Sequence, residues 1–396
     1  MTIFGTKLNA SPSYLNDPID PTAKKRMRMP DWYEVSNIND VPSPSILVYP
    51  ERIDFNLQMM IDQAGDVRKL RPHVKTHKLP QVVRMKLSHG ITKFKTTTIA
   101  EAEMVAMEGG TDVMLAYQPV GPNVSRLIKL IQTYPQTRFS ALVDCVDCLE
   151  TIATAAVAAG TSVPLFVDLN VGMDRTGIEP GNEAFDLFMR IASLDGVEAA
   201  GLHAYDGHVH DADANALEAK IQRTFAPVWR LKETIESTGI SAGIIVVSGT
   251  PTSLVMARHH DVEVGAGTTV LWDTGQPKIC PEMNFQNAAV LISRVISHPT
   301  PDRICVDLGH KAVASEFDHP RVTFFGLDAA SAVMHSEEHL VLAVDDAKTF
   351  PVGTVLYGLP RHVCPTMALH QHAWCVRKGR ACETWPITAR ARCLTI

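Results

Sequence analysis

The chain shows a recurrence of short apolar or β-branched runs separated by stretches with helical spacing. The runs lie around Val74 and at Lys93–Thr97, Val113–Tyr117, Phe139–Val143, Leu165–Leu169, Ala199–Ala204, Ile244–Val247 and Val262–Gly265, which makes eight predicted strands. Between Glu51 and Leu70, Ile53, Leu57, Met60 and Ile61 share one helical face. Thr98 and Glu101 form a capping box for a second helix that stops at Gly109–Gly110. Further helices are predicted from Val146 to Gly160 and from Ala212 to Ser237. Strand–helix alternation repeated in this way predicts an α/β fold, a (β/α)8 TIM-type barrel over residues 45–271. A doubly wound open sheet competes with it, and periodicity alone does not separate the two.

Two regions flank this pattern. Met1 to Pro44 is rich in Pro, Asn, Asp and Lys with sporadic apolar residues, and predicts an N-terminal arm with little core of its own; the short run Ser45–Tyr49 then forms a strand stopped by Pro50. From residue 272 to 396 the period changes to alternating runs, Ala288–Ile296, Arg303–Leu308, Val322–Gly326, His339–Val344 and Thr354–Leu359, broken by Pro, Gly and Asp turns. This predicts a C-terminal antiparallel β domain. The tail from Val376 carries several arginines and two cysteines and has no assigned role.

Composition narrows the class. With 396 residues, 45% hydrophobic and 20% charged, the chain has the balance of a globular protein of two domains. No run is apolar for about 18 residues, so no membrane span is expected. The opening Met1–Lys7 lacks the pattern of a secretory leader, so a cytoplasmic location is the expectation. A net charge of -6 with scattered Lys and Arg gives no nucleic-acid footprint. Eight irregularly spaced cysteines fit free thiols, and the Cys145–Cys148 pair has no second pair to complete a zinc site.

Candidate chemistry begins at Arg71-Pro72-His73-Val74-Lys75-Thr76-His77-Lys78. Flanking cations and burial both favour a neutral amine, and strand alternation would put Lys75 on the face of His73 and His77, so Lys75 could form a Schiff base with an aldehyde cofactor. In a barrel, ligands sit at the C-terminal ends of the strands. Strand five ends in Asn170–Gly177 with Arg175, and strand six in His203–Asp211, which holds three histidines. Strands seven and eight end in Ser248-Gly249-Thr250 and in Gly265-Ala266-Gly267-Thr268; amides without bulky side chains, plus hydroxyls, suit a phosphate. If His362-Val363-Cys364 is extended, its imidazole and thiolate point the same way and could grip one divalent ion with open positions left for water and substrate.

The Arg71–Lys78 string closely resembles the pyridoxal-phosphate lysine motif of the D-threonine aldolase and D-serine dehydratase family, whose barrel is alanine racemase-like. The likeness runs from about Ser43 to about His370. It implies that Lys75 carries pyridoxal 5'-phosphate, that Arg175 lies near the cofactor's phenolic oxygen, and that Tyr205 faces its pyridine nitrogen. It also implies that His208 lies near the metal and the substrate hydroxyl as a catalytic group. Cys364 departs from the aldolase pattern, which has an acidic residue there, and looks more like the dehydratases; Tyr205-Asp206-Gly207-His208 looks more like the aldolases. A thiolate ligand points to Zn²⁺, an oxygen ligand to Mn²⁺. The resemblance implies a metal-dependent lyase on β-hydroxy-D-amino acids, of the type that converts D-threonine to glycine and acetaldehyde. A D-serine dehydratase-type ammonia-lyase or a 3-hydroxy-D-aspartate lyase is the alternative. It further implies a homodimer in which each barrel meets the partner's β domain. Two rivals stand outside the family reading: a metal hydrolase using His208 and His210, and a non-catalytic pyridoxal-phosphate carrier, against which the C-terminal domain argues.

Overall fold

The structure, a computed structural model, describes residues 31–247 and 249–396; residues 1–30 of the expected arm and Ser248 lie outside the described residues. After β1 (Ser45–Val48), α1 (Pro50–Ala64) and α2 (Pro80–Ser88), strands and helices alternate. They are β2 (Lys93–Thr96), α3 (Ile99–Met107), β3 (Asp112–Leu115), α4 (Pro122–Thr133), β4 (Arg138–Val143), α5 (Val146–Ala158), β5 (Val163–Leu169) and α6 (Asn182–Ser193). The series ends with β6 (Val197–Ala204), α7 (Ala214–Ser237), β7 (Ile244–Val247), α8 (Thr250–His259) and β8 (Glu263–Val264). Strands β2 to β8 pair in sequence order and in parallel.

The expected first barrel strand is not a regular strand, because the chain turns immediately after His73. The segment nevertheless closes the ring. Arg71 N donates to Val264 O at 2.9 Å on one side, and Val74 N donates to Lys95 O at 2.9 Å on the other. Leu70 and His73 thus bridge β8 and β2 in parallel, as the eighth stave of a barrel. Met114, Leu142, Phe166, Ala200 and Val246 fill its interior, and a larger apolar layer packs the outer faces of the strands against the helices.

The second sheet is built by β9 (Ala289–Thr300), β10 (Arg303–Val306), β11 (Val322–Phe324), β12 (Ser331–His335), β13 (Leu340–Ala343), β14 (Val355–Pro360), β15 (His372–Arg377) and β16 (Arg380–Pro386), with α9 (Val363–Leu369) before β15. It takes in β1 as well, which the sequence pattern places at the head of the barrel: Ile46 pairs antiparallel with Leu291 and parallel with Ala373. A wholly buried four-residue run carries no alternation to say which sheet it joins. The chain therefore passes from β1 of the β sheet into the barrel at Pro50 and returns after β8. Residues 31–44 are also more than an arm, since Val35 and Val41 are buried against Leu47, Tyr49, Val290 and Ile292. The tail left without a role is the β15–β16 hairpin edge of the same sheet. No helix of the described residues is long and apolar enough to cross a membrane.

His77 does not share the face of Lys75. It turns into the packing of α2, where its Nε2 lies 3.0 Å from Lys86 Nζ, both residues fully buried. Leu79 N donates to His77 Nδ1, so the single proton of the neutral ring sits on Nε2 and points at Lys86, which must accept it as a neutral amine. Burial brings the Lys86 amine down to about 7 from 10.5. Between those two pH values the unfolded chain holds a proton that the folded chain has shed, so this group makes stability rise with pH across the window and imposes its full cost below it. Replacing Lys86 with Met removes that cost, on the order of a few kcal/mol, against a pH-independent loss of the His77 contact. Denaturation curves should therefore show the variant's relative stability highest near about pH 6 and falling toward about pH 10. A difference that does not vary with pH would show that Lys86 is charged inside the fold.

Candidate active site

The C-terminal ends of the barrel strands and the neighbouring edge of the β domain enclose a cleft of about 730 Å³. Lys75, Arg175, Tyr205, Thr250, Gly265, Gly267, Thr268, His362 and Cys364 all line it. Gly249 and His208 are not among the lining residues. His208 is exposed, beside the Cα of Gly172, where a side chain on that glycine would come within 3.1 Å of the imidazole Nε2.

The amine of Lys75 is held below its ordinary pKa. Burial is the largest cause; the Cys364 thiolate opposes it and Arg175 reinforces it. The cations flanking it in sequence matter less than expected, because their charges are taken up elsewhere. Buried Arg71 donates to Glu263 at 2.6 Å and to Asp112 at 2.6 and 3.0 Å, and Lys78 pairs with Glu101. Glu101 also accepts from Thr97 N at 2.7 Å while its own amide donates to Thr98 Oγ1, so the capping box reaches one residue further than its usual form and anchors the turn that carries Lys75. Gly267 lets β8 pass against this turn: a Cβ there would lie 2.7 Å from His73 O.

A chain of buried groups on three strands forms one wall. Asp168 Oδ1 lies 2.6 Å from His203 Nδ1, and His203 Nε2 lies 2.6 Å from Lys95 Nζ. Burial keeps His203 neutral, at about 4, and brings Lys95 down to about 7. Burial would raise Asp168, but His203 and Lys95 outweigh it and hold the carboxyl ionised. The ring proton therefore sits on Nδ1, facing the carboxylate, and Nε2 accepts from the lysine. The one sign of this chain in the sequence is a charge interrupting an apolar strand run, at Lys95 and at Asp168; only the fold brings them to His203. Tyr205 lies nearby with Arg175 at 4.5 Å over its ring, and burial raises its phenol pKa, so the group is neutral. Gly207 makes room for that ring, since a Cβ there would lie 2.4 Å from it.

Two of the expected phosphate amides are already used within the fold. Gly265 N donates to Val247 O in the β7–β8 ladder, and Gly249 N donates at 2.6 Å to buried Asp206, which also accepts from Thr252 Oγ1. Thr250 and Thr268 remain at the cleft, with the N-terminal end of α8 behind Thr250.

His362 and Cys364 are not extended. His362 caps α9 and Cys364 lies in its first turn, with Pro365 where a helix start tolerates it. Asp273 accepts from Val363 N at 3.0 Å and fixes the start of this helix. Both side chains still reach the cleft. Cys364 Sγ lies 3.2 Å from Thr76 Oγ1 and 3.5 Å from Thr268 Oγ1, so the helix of one domain is joined directly to the Lys75 turn of the other. Burial would raise the Cys364 thiol and lower the His362 imidazole, but each overrides that by its pairing with the other, leaving an imidazolium–thiolate pair whose ring proton a bound cation would displace. Glu316, which the sequence does not single out, bonds the His362 Nδ1. Imidazole and thiolate side by side are a donor set suited to a borderline cation such as Zn²⁺.

Comparisons with known proteins agree with this layout. Residues 48–271 match the alanine racemase N-terminal domain, and residues 288–376 match a serine dehydratase domain. D-threonine aldolase from an Arthrobacter species is 29% identical over 88% of this chain and 93% of its own length. D-threo-3-hydroxyaspartate dehydratase from a Delftia species is 25% identical over 87% of this chain and 96% of its own. Among solved structures, D-threonine aldolase from Filomicrobium marinum superposes with a TM-score of 0.81 at 27% identity, covering 89% of this chain and 96% of that one. With the barrel and the β domain each matched in the same order, the chain belongs to the alanine racemase-like family that includes the D-threonine aldolases and D-serine dehydratases.

Proposed function

We propose that this protein is a pyridoxal-phosphate- and divalent-metal-dependent lyase on β-hydroxy-D-amino acids, of the D-threonine aldolase type, releasing glycine and acetaldehyde from D-threonine. The observation that carries this reading is the meeting, in one cleft, of a buried lysine amine from the barrel with the paired His362 and Cys364 side chains from the β domain. Pyridoxal phosphate supplies an electron sink for the bond broken at the substrate α-carbon, and a divalent cation polarises the β-hydroxyl.

The residues present fit both groups. Lys75 is neutral enough to attack the cofactor aldehyde. Arg175 would offer a fixed cation to the cofactor's phenolic oxygen, Tyr205 a neutral partner to its ring nitrogen, and Thr250 with the N-terminal end of α8 a place for its phosphate. His362 and Cys364 would hold the cation, and Glu316, bonded to His362 Nδ1, would leave the other ring nitrogen for it. Asp168, His203 and Lys95 keep one wall of the cleft polar and rigid. His208 can take part as a base only if the segment after β6 carries it inward from its exposed position. A homodimer and a cytoplasmic location belong to the same proposal and rest on the resemblance.

Cys364 favours a second reading, a dehydratase that removes hydroxide and yields a keto acid and ammonia from D-serine. Incubation with D-threonine and with D-serine separates the two: aldehyde and glycine from D-threonine are expected, ammonia from D-serine would favour the dehydratase, and neither product from either substrate would dismiss both. Changing Glu316 to Gln should weaken divalent-metal affinity by roughly 10- to 100-fold, read by metal titration of the purified protein, with thermal stability unchanged. Unaltered affinity would remove Glu316 from the metal's surroundings.

A further inference from the structure

The β15–β16 hairpin holds a cluster that the proposed reaction does not use. Along this pair, Ala373 faces Trp385 and Cys375 faces Glu383, and then the register shifts so that Val376 faces Ala381. Cys382 is thus an extra residue, and both it and Glu383 stand against Cys375. Neighbours on a regular strand point to opposite faces. A bulge breaks that rule, because two residues of one strand share a single opposite residue and the backbone twists between them. Here the result is that the side-chain donors of Cys375, Cys382 and Glu383 all lie within 4.8 Å of one another, the single such group of three among the described residues.

The surroundings are asymmetric in a way that suits a bound ion. Cys375 is fully buried among apolar neighbours, whereas Cys382 and Glu383 are exposed, so the cluster has a dry floor and an open side. None of the three lines the cleft, and none contacts His362 or Cys364 through any recorded bond. The neighbouring groups are Arg377, on the same strand, and the Cys375 carbonyl, which lies 3.4 Å from Cys382 Sγ. A divalent cation at this spot would displace the thiol protons and be met by two sulfurs and a carboxylate already held close together.

We propose that Cys375, Cys382 and Glu383 form a second metal site, separate from the catalytic cleft, for a soft or borderline divalent cation of the zinc class. Two thiolates and one carboxylate supply three ligands of a tetrahedral set, and water supplies the fourth from the exposed side. Hard cations such as Mg²⁺ are disfavoured by the sulfur donors. Such an ion would pin the bulge at the edge of the sheet, where β15 lies directly beside β1, the strand that feeds the barrel.

The test uses the full chain, reduced and stripped by a chelator, and titrated with Co²⁺ as a spectroscopic probe. Changing His362 and Cys364 to Ala first removes the pair in the cleft, so the outcome does not depend on the proposed catalytic function. In that background one equivalent of Co²⁺ should bind per chain with a sulfur-to-cobalt charge-transfer band, release protons on binding, and be displaced by Zn²⁺. Adding Cys382→Ser, at an exposed position where the fold has little to lose, should abolish the band, and Glu383→Gln should weaken binding by at least about 10-fold. An absent band in the folded background variant, or a band that survives Cys382→Ser, would overturn the proposal. Equal metal content with and without the His362 and Cys364 changes would instead count against the cleft pair.

Discussion

Removing one amine from water is the constraint on which the site depends. Lys75 sits at the inner end of the stave that closes the barrel, and among the described residues no carboxylate forms an ion pair with its nitrogen. The acids along the stave are already engaged: the Glu101 carboxylate by Lys78 and the backbone amide of Thr97, and Glu263 and Asp112 by Arg71 at the opposite end. Desolvation of the amine outweighs the opposing charges of the Cys364 thiolate and of Glu101 and favours its neutral form.

Two features of the chain path bring the rest of the chemistry to that amine. The first is that β1 belongs to the β domain although the helix after it belongs to the barrel, so the polypeptide crosses between domains twice and the two sheets share a core. The second is the contact of Cys364 with Thr76 and Thr268, which spans the same junction at the cleft itself. The thiol fastens the lysine turn to the helix opposite, and in the proposed reading it would also be a donor for the cation. Its replacement by a carboxylate, as in the aldolase pattern, would alter the first role and preserve the second with a harder ligand.

Much of this was legible in the sequence because the barrel is built from repeated local signals. Apolar runs located seven strands and the closing stave, and Thr98 with Glu101 marked a helix start that the structure contains. What was not legible depended on tertiary position. The four-residue run Ser45–Val48 has no polar face to declare its sheet, and the alternation assumed for His73, Lys75 and His77 fails where the backbone turns. The assumption of an extended His362–Cys364 segment overlooked Pro365, which is at home in the first turn of a helix. The Asp168–His203–Lys95 chain joins three strands far apart in sequence, and the phosphate reading of Gly249 and Gly265 could not foresee that Asp206 and Val247 take their amides.

The central claim is a covalent bond between the side-chain nitrogen of Lys75 and the vitamin B6 aldehyde. Borohydride reduction of protein supplied with pyridoxal phosphate, followed by peptide mass mapping, tests it most directly. The reduced adduct should be found on the peptide containing Lys75; an adduct on Lys95 or elsewhere, or none at all, would contradict the roles assigned to every residue around the cleft.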